Sequence, residues 1–313
     1  MRFRFVEAEK AHYPIRLMCR CLAVSRSGYY AWRRRPLSAR ARGDVRLKVE
    51  IAASHSASRR TYGSPRVLRD LRDEGRRVSR KRVARLMREL GLEGCGKRRF
   101  RATTDSRHRF PVAPNVLMRD FDVDSPNTAW VADITYLATL EGWLYLAVIL
   151  DLFSRRVVGY AMSERIDRAL VLEALRKALA SRPGARDLVL HSDRGSQYAS
   201  HDHREALDQA GIMCSMSRRG NCWDNAVAES FFGTLKTELL YELPLQTRSA
   251  TRSAVTDYIE VFYNVRRRHS SLDYQSPVKF ELKSGQPGDS APASLSAMNG
   301  KGKGQESRGP MAY

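Results

Sequence analysis

The sequence has little continuous hydrophobicity. Its longest strongly apolar run extends only from Trp143 to Leu150, whereas a helix needs about 20 apolar residues to cross a bilayer. The first ten residues, MRFRFVEAEK, are too acidic and too often interrupted by charge to be a secretory signal. We therefore expect a cytoplasmic protein without a membrane segment.

Cysteine is scarce and irregularly spaced. The five cysteines are Cys19, Cys21, Cys95, Cys214 and Cys222. An odd number at irregular spacing indicates neither a disulfide framework nor a zinc site. His12, Cys19 and Cys21 also do not supply the spacing of a His₂Cys₂ zinc module. We expect reduced thiols and no zinc.

Acidic residues are sparse in the first third of the chain. The net charge is +21, and residues 1–110 contain 31 Lys and Arg against 10 Asp and Glu. The remaining residues contain equal numbers of basic and acidic side chains. This asymmetry predicts a DNA-binding region joined to an electrically balanced one. A basic surface that only aids solubility is the alternative.

Two helical regions are predicted before residue 94. In the first, Pro14 can open a short helix and Ser25 can cap a second one. This pair resembles a helix-turn-helix, although a helical hairpin that only buries its aromatic residues is equally compatible with the pattern. A basic linker is expected from Arg33 to Gly43.

The second helical region has a clearer division between apolar and basic faces. We predict one helix from Ser64 to Gly75 and another from Ser79 to Gly91. Lys81, Arg85 and Arg88 line a different side of the second helix from its apolar stripe. Such a helix suits the DNA major groove or the adjacent phosphates, and the alternative is an ordinary solvated face.

The pattern after residue 129 changes to alternating strands and helices. Three apolar runs joined by short turns predict antiparallel strands at 130–139, 143–151 and 156–162. Further elements follow in the order helix, strand, helix, strand, and helix. These are a helix capped by Asp167, a strand at 186–191, a helix at 200–210, a strand at 212–215, and the helix that contains Glu229. The fold class is therefore α/β, with a mixed sheet and flanking helices.

Three carboxylates have distinct settings in this region. Asp133 lies in the buried strand of WVADITYL, and Asp193 follows a strand in VLHSDRGSQY. Glu229 lies in a predicted helix from Asn225 to Leu240. Between them lie 59 and then 35 residues. Strand ends of α/β sheets commonly hold active-site groups, so Asp193 is well placed for chemistry.

The chemistry of three such carboxylates depends on whether they meet. If they do, oxygen donors suit Mg²⁺ or Mn²⁺, and a pair of ions about 4 Å apart can drive phosphoryl transfer. The helix would present Glu229 and Lys236 on one side, within roughly 40° of each other. An ordinary ion-paired or surface role is the alternative for any single carboxylate.

Several long motifs resemble one family. Together they are similar to the transposase protein that the second reading frame of IS3-family insertion sequences encodes. The motifs are WVADITYL, DLFSRRVVGY, HSDRGSQY, NCWDNAVAESFFGTLK and FYNVRRRHSSLDYQSP. The resemblance covers roughly residues 1–282. It implies an RNase H-like core of the retroviral-integrase type. Asp133, Asp193 and Glu229 match the family's DDE triad, and Lys236 matches a basic residue near the DNA terminus.

The resemblance also implies an activity and partners. It implies metal-dependent strand cleavage at element ends and 3′-OH strand transfer, with Mg²⁺ or Mn²⁺ and two ions. Double-stranded DNA, the product of the upstream reading frame or a fusion with it, and further copies of the chain on DNA are the expected partners, in a nucleoid-associated setting. A non-catalytic DNA-binding regulator and an RNase H-type nuclease are the alternatives. Asp151, Asp187 and Asp224 have no family position and are not chosen.

The loop before the Glu229 helix is basic, and we predict that it contacts DNA. Arg218 and Arg219 can pair with phosphates, and Trp223 can stack on a base or act as a hydrophobic plug. After a helix at 251–263, His269 is expected to be structural rather than a catalytic base.

The predicted domains are a helical segment with linker at 1–43, a helical DNA-binding region at 44–93, a connector at 94–129, the integrase-type domain at 130–283, and a disordered tail at 284–313.

Overall fold

The structure is a computed structural model that describes residues 1–96, 113–117, 123–185, 187–218 and 225–285. Six helices precede the sheet in these ranges. They are α1 (Arg2–Glu9), α2 (Ile15–Cys21), α3 (Arg26–Arg34), α4 (Ala39–Ala57), α5 (Ser64–Asp73) and α6 (Arg80–Glu89). Within the described ranges the helices are too short or too polar to traverse a lipid bilayer.

Local capping residues set several of these helix ends. Ser25 and Ser79 each accept a hydrogen bond at the start of a helix, from the N–H groups of Gly28 and Arg82. Gly75 and Gly91 follow α5 and α6 with φ of +79° and +64°, a conformation that glycine adopts without a steric penalty. The caps explain why the sequence locates these boundaries well.

Helix α4 differs from the sequence-based expectation. It begins at Ala39, with Ser38 Oγ accepting from Ala41 N at 3.1 Å, so it starts inside the segment predicted to be a basic linker. Its apolar side is narrow, because Leu47 and Ile51 are its main buried apolar residues. A narrow stripe among many charges gives only a weak periodic signal.

Five strands of the described residues form one mixed sheet. They are β1 (Ala129–Thr139), β2 (Gly142–Asp151), β3 (Val157–Ser163), β4 (Val189–Ser192) and β5 (Met213–Met216), in the order β3-β2-β1-β4-β5. β1, β2 and β3 pair antiparallel, whereas β4 is parallel to β1 and β5 is parallel to β4. The predicted mixed α/β fold is confirmed.

The helices after β3 complete the fold. They are α7 (Arg168–Ser181), α8 (His201–Gln209), α9 (Ala226–Leu235), α10 (Arg248–Asp257) and α11 (Pro277–Ser284). Two helices predicted to be continuous contain π-helical turns instead, at Lys236–Leu240 and Tyr258–Tyr263. The predicted tail beyond residue 285 lies outside the described residues.

Apolar side chains cover both faces of the sheet. Helix α7 packs on one face, and its contact with β3 is very close at Gly159. A Cβ atom at Gly159 would lie 2.4 Å from the carbonyl oxygen of Ala174 and 2.6 Å from the N atom of Ala178. Glycine at this position therefore lets a helix backbone rest directly on a strand.

The opposite face of the sheet shares its core with helices α4 to α6. This hydrophobic core contains Ile51 and Leu71 from the helical region together with Val148 from β2 and Phe231 from α9. Tyr62 and Phe262 also lie close, with ring centres 6.4 Å apart. The helical region is therefore packed against the sheet domain instead of being loosely tethered to it.

A buried ion pair lies at this junction. Glu238, in the first π-helical turn, accepts hydrogen bonds from Arg267 at 2.7 Å and from Tyr258 Oη at 2.8 Å. The side chains of Glu238 and Arg267 are each only 6% exposed. Arg66 of α5 reaches the same carboxylate at 3.3 Å. Glu238 thus connects the helical region with the C-terminal part of the chain.

We predict opposite effects for two glycine substitutions. Gly159→Ala should lower the free energy of unfolding by about 1–3 kcal/mol, because its Cβ meets backbone atoms that cannot rotate away. Gly233→Ala in α9 is the control, since nothing lies within 4 Å of its Cβ. That substitution should raise stability by about 0.5–1 kcal/mol. Urea denaturation measures both, and equal stability of the two variants would contradict the close packing.

We also predict that neutralising Glu238 is strongly destabilising. Glu238→Gln leaves the Arg267 guanidinium buried without its counter-charge, which should cost about 3–5 kcal/mol in the free energy of unfolding. Glu173→Gln, which removes an exposed ion pair with Arg176, should change it by less than about 1 kcal/mol. Urea denaturation at neutral pH makes the comparison.

The same pair predicts a pH dependence. Burial acts to raise the pKa of Glu238, but Arg267 outweighs it and holds that pKa below the ordinary value of 4.5. The pair therefore contributes stability above the ordinary pKa and loses it as the pH falls through the lowered one. Unfolding midpoints between about pH 5 and about pH 3 should fall more steeply for the wild type than for Glu238→Gln. Parallel curves would contradict this assignment.

Candidate active site

Two of the predicted carboxylates lie where the pairing of β1 with β4 ends, Asp133 within β1 and Asp193 directly after β4. In the parallel pair of β1 and β4, Ala132 is aligned with Ser192. Asp133 and Asp193 are the next residues along these two strands. Because paired residues of parallel strands lie next to each other, the register that ends at Ala132 and Ser192 brings Asp133 and Asp193 side by side although 59 residues separate them.

Backbone groups orient both carboxylates. The Ile134 N–H donates to Asp133 Oδ1 at 2.8 Å, and the Gly195 N–H donates to Asp193 Oδ1 at 2.9 Å. A Cβ atom at Gly195 would lie 3.0 Å from Asp193 Oδ1 and 2.6 Å from Gln197 Oε1. The glycine in DRGSQ therefore allows the loop backbone to approach its own carboxylate closely.

Helix α9 carries the third carboxylate and begins beside Asp133. Asn225, immediately before α9, donates from Nδ2 to the carbonyl oxygen of Ala132 at 3.2 Å. This contact fixes the start of the helix beside Asp133. Ala228, Phe231 and Leu235 bury the other side of the helix in the core, while Glu229 remains exposed. The helix thus presents Glu229 away from the core, and the charge of Glu229 acts on Asp133.

The charges of these carboxylates act on one another. Burial raises the pKa of Asp133 well above its usual value, the Asp193 charge raises it further, and the Glu229 charge adds to the effect. The Ile134 N–H and Lys236 act in the opposite direction. Burial also raises the pKa of Glu229. The three carboxylates therefore share one electrostatic environment, in which the pKa of Asp133 is raised by burial and by both other charges.

The donor set fits a divalent cation. A cation between Asp133 and Asp193 would relieve their repulsion, and carboxylate oxygens are the ligands that Mg²⁺ and Mn²⁺ prefer. In the described parts of the chain, no three His, Cys, Asp or Glu side chains lie close enough to enclose a metal ion. The two aspartates are therefore the part of the proposed metal site that the structure already brings together. Glu229 raises the pKa of Asp133 less than Asp193 does.

Lys236 is the residue at which α9 passes into the first π-helical turn. The α-helical pattern of α9 ends at Leu235, and the wider π-helical turn changes the direction of the residues that follow. Lys236 is only 7% exposed, and its Nζ lies 4.8 Å from the ring centre of Tyr136. Burial lowers the pKa of Lys236, while Asp133 opposes that shift. Its ammonium group is thus held within the site.

The other predicted DNA contacts are divided among several settings. Lys81 and Arg88 are exposed on α6, and Arg218 is exposed after β5. Arg85, by contrast, is bound by Asp44 at 2.7 Å and also pairs with Glu89. Its partner Asp44 lies on α4, which the sequence did not predict as a helix. Arg219 and Trp223 lie outside the described residues.

Sequence reasoning missed Tyr198 as part of this site. It is buried, and its pKa is raised well above the usual value by burial and by the charges of Asp133 and Asp193. The signal was present in HSDRGSQY, where an aromatic residue follows a strand-end carboxylate by five positions. Tyr198 therefore belongs to the same electrostatic environment as the two aspartates.

Two residues that the sequence considered for other roles are structural. Asp151 accepts backbone hydrogen bonds from Asn127, Phe153 and Ser154, which satisfies the turn between β2 and β3. His269 is buried against Tyr263, with ring centres 4.8 Å apart. Neither residue is among the main groups that shift the pKa of Asp133.

We predict that Asp133→Asn stabilises the protein when no divalent ion is added. Because its folded-state pKa is raised, ionised Asp133 destabilises the native state above the ordinary aspartate pKa. The thermal midpoint of the variant should exceed that of the wild type near pH 7, and the difference should vanish as the pH falls toward about 4. Added Mg²⁺ or Mn²⁺ should raise only the wild-type midpoint.

The exposed residue Asp208 provides the control for that measurement. Asp208→Asn should leave both the midpoint and the response to Mg²⁺ close to those of the wild type. A metal response retained in Asp133→Asn would show that the ion binds elsewhere.

Comparison with family models gives three matches. Residues 123–222 and 210–277 match models described as integrase core domains. Residues 42–100 match a model described as an HTH-like domain. The two integrase-core matches together contain all three carboxylates, and the HTH-like match contains helices α5 and α6.

The chain also has close relatives. It is 49% identical over 266 residues to a 31 kDa protein of insertion element IS600 from Shigella sonnei, which spans 85% of this chain and 98% of the relative. It is 41% identical over 285 residues to the transposase InsF for insertion sequence IS3A from Escherichia coli, which spans 90% of this chain and 99% of the relative. These similarities extend over nearly the whole length of both relatives.

Solved structures show weaker similarity. A chain of a simian T-cell lymphotropic virus intasome aligns with a TM-score of 0.43 at 17% identity, covering 74% of each chain. The HTLV-2 integrase catalytic core domain in complex with magnesium aligns with a TM-score of 0.39 at 19% identity, covering 50% of this chain and 97% of that chain.

Proposed function

This chain belongs to the IS3 family of insertion-sequence transposases, and on that premise we propose that Asp133, Asp193 and Glu229 are its catalytic, metal-binding carboxylates. The protein is a DNA transposase with an integrase core, which is a polynucleotidyl transferase of the DDE type. The assignment of particular residues and ions to that activity is our proposal.

One observation carries this proposal. The parallel register of β1 and β4 places Asp133 beside Asp193, and the charges of Asp193 and Glu229 both raise the pKa of Asp133. A protein gains no stability from crowding like charges. Carboxylates in such an arrangement are typical of functional sites, and their oxygen donors suit Mg²⁺ or Mn²⁺.

The residues would share the work as follows. Asp133, Asp193 and Glu229 would hold two divalent ions, which when bound supply an activated attacking oxygen and stabilise the leaving oxygen at phosphorus. The Ile134 and Gly195 N–H groups keep the aspartate oxygens oriented. Lys236 places a positive charge next to Asp133, where it would favour the approach of a DNA phosphate.

The proposed reaction has two phosphoryl transfers. In the first, a water oxygen bonds to phosphorus at the element end, the bond from phosphorus to the 3′ oxygen breaks, and that oxygen leaves as a 3′-OH. In the second, this 3′-OH attacks a phosphodiester in line, so one P–O bond forms as another breaks. No protein side chain becomes covalently attached to DNA in either step.

The partners follow from the same proposal. Element ends and target would be double-stranded DNA, contacted by Lys81, Arg88, Arg218 and Arg219. Arg85 would first have to leave Asp44 and Glu89 in order to contact DNA. Joining two ends to one target would require more than one copy of the chain. The product of the upstream reading frame, supplied separately or as a fusion, would complete the complex in the nucleoid.

The proposal predicts the loss of both reactions from single substitutions. Asp133→Asn, Asp193→Asn and Glu229→Gln should each reduce cleavage and joining at least about 100-fold, since metal activation contributes several kcal/mol. The assay uses an oligonucleotide that bears the element end, Mg²⁺ or Mn²⁺, and the full-length chain with the upstream-frame product. Products are resolved on a denaturing gel.

Asp208→Asn is the matched control, because it removes an exposed carboxylate without touching the site. It should cleave and join like the wild type. Undiminished activity in Asp133→Asn would refute the assignment. Metal-independent binding to DNA without any cleavage by the wild type would instead favour a non-catalytic DNA-binding regulator.

A further inference from the structure

A polar cavity borders helix α9 on the side next to Glu229. It has a volume of about 280 Å³. Its polar lining comes from three arginines and several hydroxyl groups, and we call it the arginine cleft. The lining residues used here are Arg66, Arg155, Arg267, Ser230, Thr234 and Ser271. Because one water occupies about 30 Å³ in the liquid, the cleft has room for a tetrahedral anion and several waters.

The arginine cleft is assembled from distant parts of the chain. Arg66 comes from the first turn of α5, Ser230 and Thr234 come from α9, and Arg267 comes from the segment after the second π-helical turn. The first turn of α9, at Ala226 and Val227, also lines it. The positive end of a helix dipole therefore adds to the charge of the guanidinium groups.

The positive charge in the cleft exceeds the negative charge beside it. Arg66 and Arg267 share a single carboxylate, that of Glu238. None of the described residues that line the cavity is acidic. Two cations that share one carboxylate favour a bound anion, because charge is costly to hold away from water without compensation.

The lowered pKa values of His269 and Arg66 agree with an excess of positive charge in the cleft. Burial lowers the pKa of His269 well below its usual value, and the charges of Arg267, Arg66 and Arg155 lower it further. Burial likewise lowers the pKa of Arg66, and the charge of Arg267 adds to that effect. His269 therefore stays neutral near pH 7, and the positive potential of the cleft comes from the arginines.

We propose that the arginine cleft binds a backbone phosphodiester of the DNA strand that passes over Glu229. Ser230 follows Glu229 directly and points about 100° around the helix, so the cleft and the carboxylate lie on adjacent sides of α9. Guanidinium groups and hydroxyls are the usual ligands of DNA phosphates. This inference rests on the proposed function, since it requires that DNA reach Glu229.

The two arginines of α5 provide a matched test. Arg66 and Arg69 each pair with one carboxylate and each lie over a tyrosine ring, with centroid distances of 5.4 Å and 5.0 Å. Only Arg66 lines the cleft. Arg66→Gln and Arg69→Gln therefore remove the same charge and the same kinds of contact; they differ in whether the cleft is affected and in that Glu238 is buried whereas Asp273 is exposed.

The experiment measures DNA binding by the full-length chain without divalent metal. Fluorescence anisotropy of a labelled duplex over a salt series gives the affinity and the slope of log K against log salt concentration. Arg66→Gln should weaken binding about 10-fold at low salt and reduce the slope by about 1, as expected for one lost phosphate contact. Arg69→Gln should stay within about 2-fold of the wild type. Equal behaviour of the two variants would overturn the proposal.

A second pair of variants guards against effects of Arg66 on folding. Ser230→Glu places a carboxylate in the cleft, whereas Ser253→Glu places one on an exposed helical position of α10. Neither serine has a buried side chain, so both variants should fold, which thermal unfolding checks. Ser230→Glu should weaken DNA binding as Arg66→Gln does. The affinity of Ser253→Glu should remain near that of the wild type.

Inorganic phosphate distinguishes the two sources of the anion. If phosphate raises the thermal midpoint of the wild type but not of Arg66→Gln, while both bind DNA equally, the cleft takes free phosphate and the proposal fails. Binding without metal is also independent of cleavage. Failure of strand cleavage in Mg²⁺ would refute the proposed catalytic residues while leaving the comparison of Arg66→Gln with Arg69→Gln intact.

Discussion

The parallel pairing of β1 with β4 is the constraint on which the rest of the molecule depends. Its register aligns Ala132 with Ser192 and so forces Asp133 and Asp193 together, at an electrostatic cost that is visible in the raised pKa of Asp133. The packing of both sheet faces, including the close contact of α7 at Gly159, offsets this electrostatic destabilisation. Backbone N–H groups then hold the carboxylates in place. The fold thus stabilises an arrangement that the side chains themselves resist.

Helix α9 connects this site to the other end of the protein. It is fixed at its start by Asn225 and along its length by a core shared with the helices of the HTH-like region. Immediately beyond it, Glu238 binds Arg267 and reaches Arg66. The same helix therefore presents Glu229, borders the arginine cleft, and continues into the ion pair that joins the two regions. A DNA duplex held by the helical region would have a fixed position relative to the carboxylates.

Sequence patterns were informative wherever a boundary depends on local chemistry. Asp167 caps α7 by accepting from Leu170 N, and Ser79 caps α6, as the sequence indicated. The patterns were less informative where the signal was spread over distant residues. Helix α4 was missed because its apolar residues are not confined to one face: Val45 and Val49 are exposed, whereas Leu47 and Ile51 are buried against other helices. The π-helical turns at 236–240 and 258–263 have no local signature, since tertiary packing selects them over continuous α-helix.

By itself the sequence determined the class of fold, the family, and the candidate carboxylates, because these depend on strand alternation, caps and runs of motif residues. Only the tertiary structure decided which charged side chains are already paired within the protein and which can contact DNA. Arg85 faces Asp44 across 41 residues, Lys236 lies over Tyr136 within the site, and Arg66 shares Glu238 with Arg267. The physical reason is that the energy of a charge is set by its neighbours in space and by its distance from water. Neither quantity can be read from neighbours in the chain.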